Sequence, residues 1–383
     1  MKKVVFAMIE AGGGHKAPAR AVMEALERDF PGEYSLRMMD FIKDVGCDRV
    51  DAAHKRSWNF LVGRPLITHL LYQLQNSLGP IARAVLYRNL AAPAVRDAVR
   101  FLRRERPDAV FSTHFLVSMI LAEAKKRSGV DFQLFTYQTE IFTYHSLWRV
   151  LDTDWYLTAS DRAAQSAAEH GIKWSKIRSF PYPIRPGFLS SRRDPGVVAA
   201  ELGLDPARKT LLFSFGNQGA GMVLQYLLAL ELLSAPINLV IVAGRNAALK
   251  RRLDLLKKRF PRINLIPVGY ATNMNELIAA ADLCFIKPGP ATTMECMHSR
   301  KPIIFGNAAT PCEQAHANYA VYRGVAKYAG DAVPLFIAAL AHFLKDEVLE
   351  EVARRYESLE LRNGAGEIAA FVDETLGSAR PGN

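Results

Sequence analysis

A histidine that follows three glycines, Gly12-Gly13-Gly14-His15, stands where a base would stand, because the glycines end an apolar run and the residues after them read as a helix. At a helix start and beside Lys16, an imidazole is expected below its ordinary pKa, neutral and able to take a proton from a hydroxyl. The residues alone also fit a surface histidine after a tight turn. Glu140 and His145, in TYQTEIFTYHSLW, are the second choice for the base. Two more glycine turns, Gly216/Gly219/Gly221 in FSFGNQGAG and Gly289 in KPGPATTMEC, each follow an apolar run and precede a helix. Such a turn lets the backbone approach a phosphate, and the helix start behind it supplies free N–H donors and a partial positive charge. Thr292 and Thr293 fall in the first helical turn after Gly289, and Glu295, one turn in, is placed to accept two hydrogen bonds from a ribose diol. Plain tight turns, with an acid favoured near a helix start, fit the same spacing. Neither turn is GxxxxGK[ST] or GxGxxG, which argues against ATP hydrolysis and, more weakly, against a nicotinamide dinucleotide.

A third feature is electrostatic. Residues 54–106 carry ten Lys and Arg against Asp97 and Glu105 alone, within a formal net charge of +11 for the chain. In residues 54–90 the cations interleave with Trp58, Phe60, Leu66, Ile67, Leu70, Leu71 and Tyr72. Basic and aromatic content without acids suits a helix lying on an anionic membrane surface, although an ordinary helix covering a sheet reads the same way. A nucleic-acid surface is the third possibility, but no RRM, KH or zinc signature supports it, so no nucleic-acid partner is expected.

These residues need elements to hold them. KKVVFAMI, YSLRMMDF, DAVFSTHF, FQLFTYQT and DWYLTAS read as strands separated by helices, which makes residues 1–183 a Rossmann-like domain. A proline-rich stretch over 184–196 reads as a linker. TLLFSF, NLVIVAG, INLIPVG, ADLCFIKPG and KPIIFGN then build a second Rossmann-like domain over 197–345, and two amphipathic helices follow within 346–378. The fold class is therefore α/β, with two doubly wound domains whose strand C-terminal loops face one another across a cleft. The 383 residues, 50% hydrophobic and 23% charged, exclude disorder and collagen and suffice for two self-supporting cores. Cys47, Cys284, Cys296 and Cys312 show no CxxC spacing, so neither a disulfide framework nor a metal site is expected. With no long apolar run and no signal-peptide pattern, the reading is an intracellular chain that does not span a membrane.

The run VGYATNMNELIAAADLCFIKPGPATTMECMHSRKPIIF resembles the donor-binding signature of the monogalactosyl- and glucosyl-diacylglycerol synthases, relatives of the peptidoglycan transferase that forms lipid II. AGGGHKAPARAV, the HxxW of His145-Ser146-Leu147-Trp148, SKIRSFPYPIRPGF, FSFGNQGAG and VAGRNAALKRRL extend the resemblance over most of the chain. It implies a GT-B fold, the C-terminal helices packing back on the first domain, and an inverting transfer from a UDP-sugar that needs no metal and no cofactor. By the same resemblance His15 is the base. The donor is met by Gly216, Asn217, Gly219, Arg245, Gly269, Tyr270 (against uracil), Asn273, Met274, Lys287, Gly289, Thr292, Thr293, Glu295, Gln314 and Asn318. Gly13, Gly14, Trp58, Phe60, Glu140, His145 and Trp148 fall to the acceptor and membrane side. The second glycine of the family's KPGG is Pro290 here, and its TD before HxxW is Thr139-Glu140. The implied partners are a UDP-sugar, a lipid acceptor such as diacylglycerol and an anionic membrane, with the enzyme peripheral at the cytoplasmic face. A UDP-sugar epimerase of the related fold and a UDP-N-acetylglucosamine transferase to another lipid-linked acceptor are the alternatives.

Overall fold

The computed structural model describes residues 1–10, 12–62, 64–189, 193–215, 223–233 and 236–378. The chain divides into two compact units, one of Met1–Arg185, Ala309–Cys312 and Arg362–Asn383, the other of Pro186–Ala308 and Glu313–Leu361.

The first unit is built on β1 (Lys2–Met8), β2 (Tyr34–Asp40), β3 (Ala109–Ser112), β4 (Gln133–Tyr137), β5 (Trp155–Thr158) and β6 (Ile177–Ser179). They form one parallel sheet in the order β2-β1-β3-β4-β5-β6. Continuous apolar runs such as Val4–Met8 and Ala109–Phe111 are buried throughout, as parallel strands covered on both faces require. Chain order reverses between β1 and β3, so the loops after these two strands flank the switch point where open α/β sheets bind ligands.

The second unit repeats the plan with β7 (Lys209–Ser214), β8 (Ile237–Val242), β9 (Ile263–Val268), β10 (Leu283–Ile286), β11 (Ile303–Phe305) and β12 (Ala326–Tyr328). Its order is β12-β11-β10-β7-β8-β9, again all parallel, and its switch point lies between β7 and β10.

Two boundaries differ from the sequence reading. Of the two C-terminal helices, only Ala365–Ser378 joins the first unit, where Phe371 meets the rings of Phe135, Trp155 and Phe180 and Asp373 accepts from Tyr34 Oη. The helix Asp346–Glu357 stays with the second unit: Tyr356 is buried and donates through its hydroxyl to Lys301 O at 2.7 Å. The return to the first unit needs Gly364, since a Cβ there would lie 1.9 Å from Pro181 O. The expected linker is also shorter than 184–196. The second unit begins at Pro186, a turn Pro186–Phe188 buries Phe188, and Asp194 caps the helix Pro195–Leu202.

Candidate functional site

In the first unit the loops after β1, β3 and β4 converge because these strands are neighbours. Gly12 has φ +120°, a conformation that favours glycine, and the helix Gly13–Asp29 starts directly after it, with His15 in its first turn. Thr113 grips His15 from two directions. His15 Nδ1 lies 2.5 Å from Thr113 O, and Thr113 Oγ1 donates to His15 O at 2.8 Å. A carbonyl only accepts, so the proton sits on Nδ1 and the Nε2 lone pair stays available. Burial pushes His15 down to about 4, the bond to Thr113 works against the fall, and His54 adds to it. Lys16, expected to contribute, is instead paired with Glu10 at 3.3 Å.

Two neighbours of this imidazole come from elements distant in sequence. His114, at the end of β3, packs 4.5 Å from the His15 ring, and His54 packs 5.1 Å from His114. His114 Nδ1 accepts from Leu116 N–H, capping the next helix, and burial holds this ring uncharged as well. A signal existed: His114 follows its strand in STHF much as His15 follows its own.

Glu140, at the end of β4, is pushed up to about 7 by burial, against hydrogen bonds from Trp148, Tyr72 and Thr143 that favour its charged form. Tyr72 Oη and Thr143 Oγ1 both donate to Glu140 Oε2 at 3.3 Å. The fully buried Gln138 braces the loop through Glu140 O and Thr143 O. Thr139 Oγ1 lies 3.4 Å from His15 Nδ1, and the Trp148 ring lies 6.5 Å from that of His15. His145 is a helix cap: its Nδ1 accepts from Leu147 N–H, which occupies the nitrogen a base would use. Gly13, exposed, and Gly14, half-buried, open the helix beneath His15.

The basic segment folds into the helices Asp48–Val62, Pro65–Ser77 and Gly79–Leu86. Its large exposed apolar residues are Phe60, Leu66, Ile67, Leu70, Leu74, Leu78, Ile81 and Val85; Trp58 and Leu71 are half-buried. Arg64 stacks on Phe60, its guanidinium carbon 4.0 Å from the ring centre. Lys55, expected to face outward, is held inside by Asp40 and by Asp51 at 2.8 Å.

In the second unit Gly216, Asn217 and Gly219 lie outside the described residues. The other half of the switch point is the turn after β10. Gly289 has ordinary backbone angles, and among the described residues a Cβ there would meet nothing within 4 Å. The helix Pro290–His298 starts on it. Pro290 has no N–H and Thr293 N–H returns to Gly289 O at 3.0 Å, so the helix leaves the amides of Ala291 and Thr292 at its positive end. The Thr293 hydroxyl is buried and has no hydrogen-bond partner among the described residues. Glu295 is 9% exposed and sits in the second helical turn, which removes the reading of an acid favoured by the first turn. Lys287 is not a free cation: it pairs with Glu313 at 2.6 Å.

Further along the same strand ends, the Arg245 guanidinium lies 5.2 Å from the centre of the Tyr270 ring, which is 58% exposed. An open aromatic face beside a guanidinium suits a planar base. Gly269 packs against the Lys250 stem, Asn273 donates to Glu276 at 2.9 Å, and Met274 opens the helix Met274–Ala280. Gln314 donates to Asn318 at 2.9 Å, and His316 between them ties that helix to Pro288 O.

Comparison with known proteins places both units. Residues 15–184 match the family described as monogalactosyldiacylglycerol (MGDG) synthase, and residues 210–328 match the glycosyltransferase family 28 C-terminal domain. The chloroplastic monogalactosyldiacylglycerol synthase of Spinacia oleracea is 28% identical over 343 residues, covering 85% of this chain; the chain spans 63% of that relative's length. The structure is similar to that of MurG from Acinetobacter baumannii (TM-score 0.60, 15% identity, 98% of this chain and 100% of that one). It is also similar to a UDP-GlcNAc 2-epimerase from Neisseria meningitidis bound to UDP-GlcNAc (TM-score 0.62, 13% identity, 99% and 100%). At these identities the likeness shows the shared fold of two Rossmann-like domains.

Proposed function

We propose that the chain, whose residues 15–184 match the monogalactosyldiacylglycerol synthase family and whose residues 210–328 match the glycosyltransferase family 28 C-terminal domain, is an inverting transferase. It moves a hexose from a UDP-sugar to the hydroxyl of a lipid such as diacylglycerol, working as a peripheral protein at the cytoplasmic face of a membrane. The observation that carries this reading is the bond between His15 Nδ1 and Thr113 O, which leaves Nε2 unprotonated. As the acceptor oxygen attacks the anomeric carbon, its proton passes to Nε2, the bond from that carbon to the diphosphate breaks, and UDP leaves with the electron pair. Charge developing on the diphosphate is met by the Ala291 and Thr292 amides and the dipole of the helix Pro290–His298. Glu295 is assigned to the ribose diol, and Tyr270 with Arg245 to the uracil. No metal or cofactor takes part in this scheme.

The exposed leucines and the acid-free basic segment of the first unit support a lipid acceptor over a purely soluble one. Shared fold with an epimerase favours neither chemistry. The experiment is a panel of UDP-sugars incubated with and without diacylglycerol in anionic vesicles. UDP release that requires the lipid is expected, whereas conversion of a UDP-sugar without any acceptor would contradict the proposal.

A further inference from the structure

The helix Pro65–Ser77 has two unlike faces. Outward it carries Leu66, Ile67, Leu70 and Leu74, which are 87, 49, 71 and 50% exposed. Inward, its second half is fastened to the loop that carries Glu140. Tyr72 Oη donates to Glu140 Oε2 at 3.3 Å, and the Tyr72 ring centre lies 4.2 Å from that of His145. Ser146 N–H donates to Asn76 Oδ1 at 2.8 Å, and Ser146 Oγ donates to Gln75 O at 2.9 Å. Just past the helix, Gly79 packs so closely on Ser146 that an added Cβ would stand 3.3 Å from the Ser146 Cβ. The loop held this way ends in Trp148, whose ring faces His15, and begins beside Thr139, which reaches His15 Nδ1.

We propose that Tyr72 and Asn76 are positioning residues that join the exposed leucine face of this helix to the segment Glu140–Trp148, so that seating the leucines on a lipid surface orders the acceptor side of the site. A 13-residue helix is marginal by itself in water, so its order depends on what its two faces touch. The loop contacts stabilise the helix, and by linkage a docked helix stabilises the loop by the same factor. The coupling does not require the leucines themselves to approach the reacting atoms. Its catalytic consequence rests on the transferase reading above, while the structural coupling stands independently of it.

The test is amide hydrogen exchange of the full chain, with and without vesicles of mixed zwitterionic and anionic phospholipid, on the wild type, Asn76→Ala, Asn76→Asp and Tyr72→Phe. In the wild type, vesicles are expected to slow exchange of the amides of 144–148 by roughly threefold or more. Asn76→Asp, which keeps an acceptor oxygen in place, retains that slowing; Asn76→Ala loses it and Tyr72→Phe weakens it, while all four proteins still sediment with the vesicles. With a micellar short-chain diacylglycerol, Asn76→Ala is expected to lower kcat by about tenfold at an unchanged KM for the UDP-sugar, and Asn76→Asp to restore it. Vesicles that leave residues 144–148 unaffected in the wild type, or that slow them equally in Asn76→Ala, would overturn the coupling. Because exchange is read without turnover, that result is distinct from a failure to transfer sugar.

Discussion

Thr113 holds His15 through both its carbonyl and its hydroxyl, the first at His15 Nδ1 (2.5 Å) and the second at His15 O (2.8 Å). The two contacts bridge the loops after β1 and β3, and they fix both the position of the imidazole and the nitrogen that carries its proton. His15→Ala is therefore expected to lower kcat by roughly 10²- to 10⁴-fold with UDP affinity near wild type. Thr113→Val keeps the carbonyl and loses only the hydroxyl contact, so its kcat is expected to fall by about tenfold or less. Steady-state kinetics beside calorimetric UDP titration check both; a His15→Ala enzyme within a few-fold of wild type would remove the base.

Glu295 is buried on the helix that starts at Gly289. If it takes the ribose diol, Glu295→Ala loses charge-assisted hydrogen bonds worth roughly 1.5 to 3 kcal/mol, so UDP should bind about 10- to 150-fold more weakly. Calorimetry with UDP measures this, and unchanged affinity would reassign the residue.

Membrane association should divide into two parts. Cations near an anionic bilayer contribute about 1 kcal/mol each, an attraction that salt screens, whereas apolar insertion survives salt. Arg56→Glu/Arg64→Glu is expected to abolish the salt-sensitive part of vesicle co-sedimentation, and Leu66→Ser/Leu70→Ser/Leu74→Ser the salt-resistant part. Lys55 is left alone because Asp40 and Asp51 hold it. Equal sedimentation of all three proteins at every salt concentration would exclude this surface.

Acid should destabilise the protein early. His15, His54, His145, His298 and His316 are each pushed from 6.5 to about 4, chiefly by burial. Each binds a proton more readily unfolded than folded, so stability is present above about 6.5 and is lost as pH falls toward 4. Glu140, raised from 4.5 to about 7, acts in the opposite sense, losing its stabilising contribution as pH rises through that window, but it is one group against these five and His114, which burial also lowers. Melting temperature is expected to fall by more than about 5 °C between pH 6.5 and 4; a flat profile would mean that these imidazoles are solvated.

The strands and their glycine turns were legible because continuous apolar runs ending in Gly-containing turns encode parallel strands and switch-point loops locally. His15 and Gly289 could be picked out for the same reason. What escaped depends on partners distant in sequence. His54 and His114 reach His15 only once β1 and β3 lie side by side. Lys55 read as an outward cation until the end of β2 brings Asp40 beside Asp51, which lies one turn away on the same helix as Lys55, and the pairing of Lys287 with Glu313 joins two separate elements. In the segment 54–90 composition indicated a surface but not its face: of the apolar residues named there Phe60, Leu66, Ile67 and Leu70 are exposed, Trp58, Leu71 and Tyr72 are half-buried, and the exposed Leu74 was not among them. The resemblance put both C-terminal helices on the first domain, whereas the helix Asp346–Glu357 groups with the second unit; its amphipathic sequence says that a face is buried without saying against what.

Transfer with inversion to a lipid hydroxyl is read out by NMR of the lipid product formed from an α-linked UDP-hexose and diacylglycerol vesicles. A β-linked hexosyl lipid, formed alongside stoichiometric UDP and reduced by orders of magnitude in His15→Ala, is the predicted result. An α-linked product, or UDP-hexose turned over with no sugar on the lipid, would rule out inverting transfer to lipid.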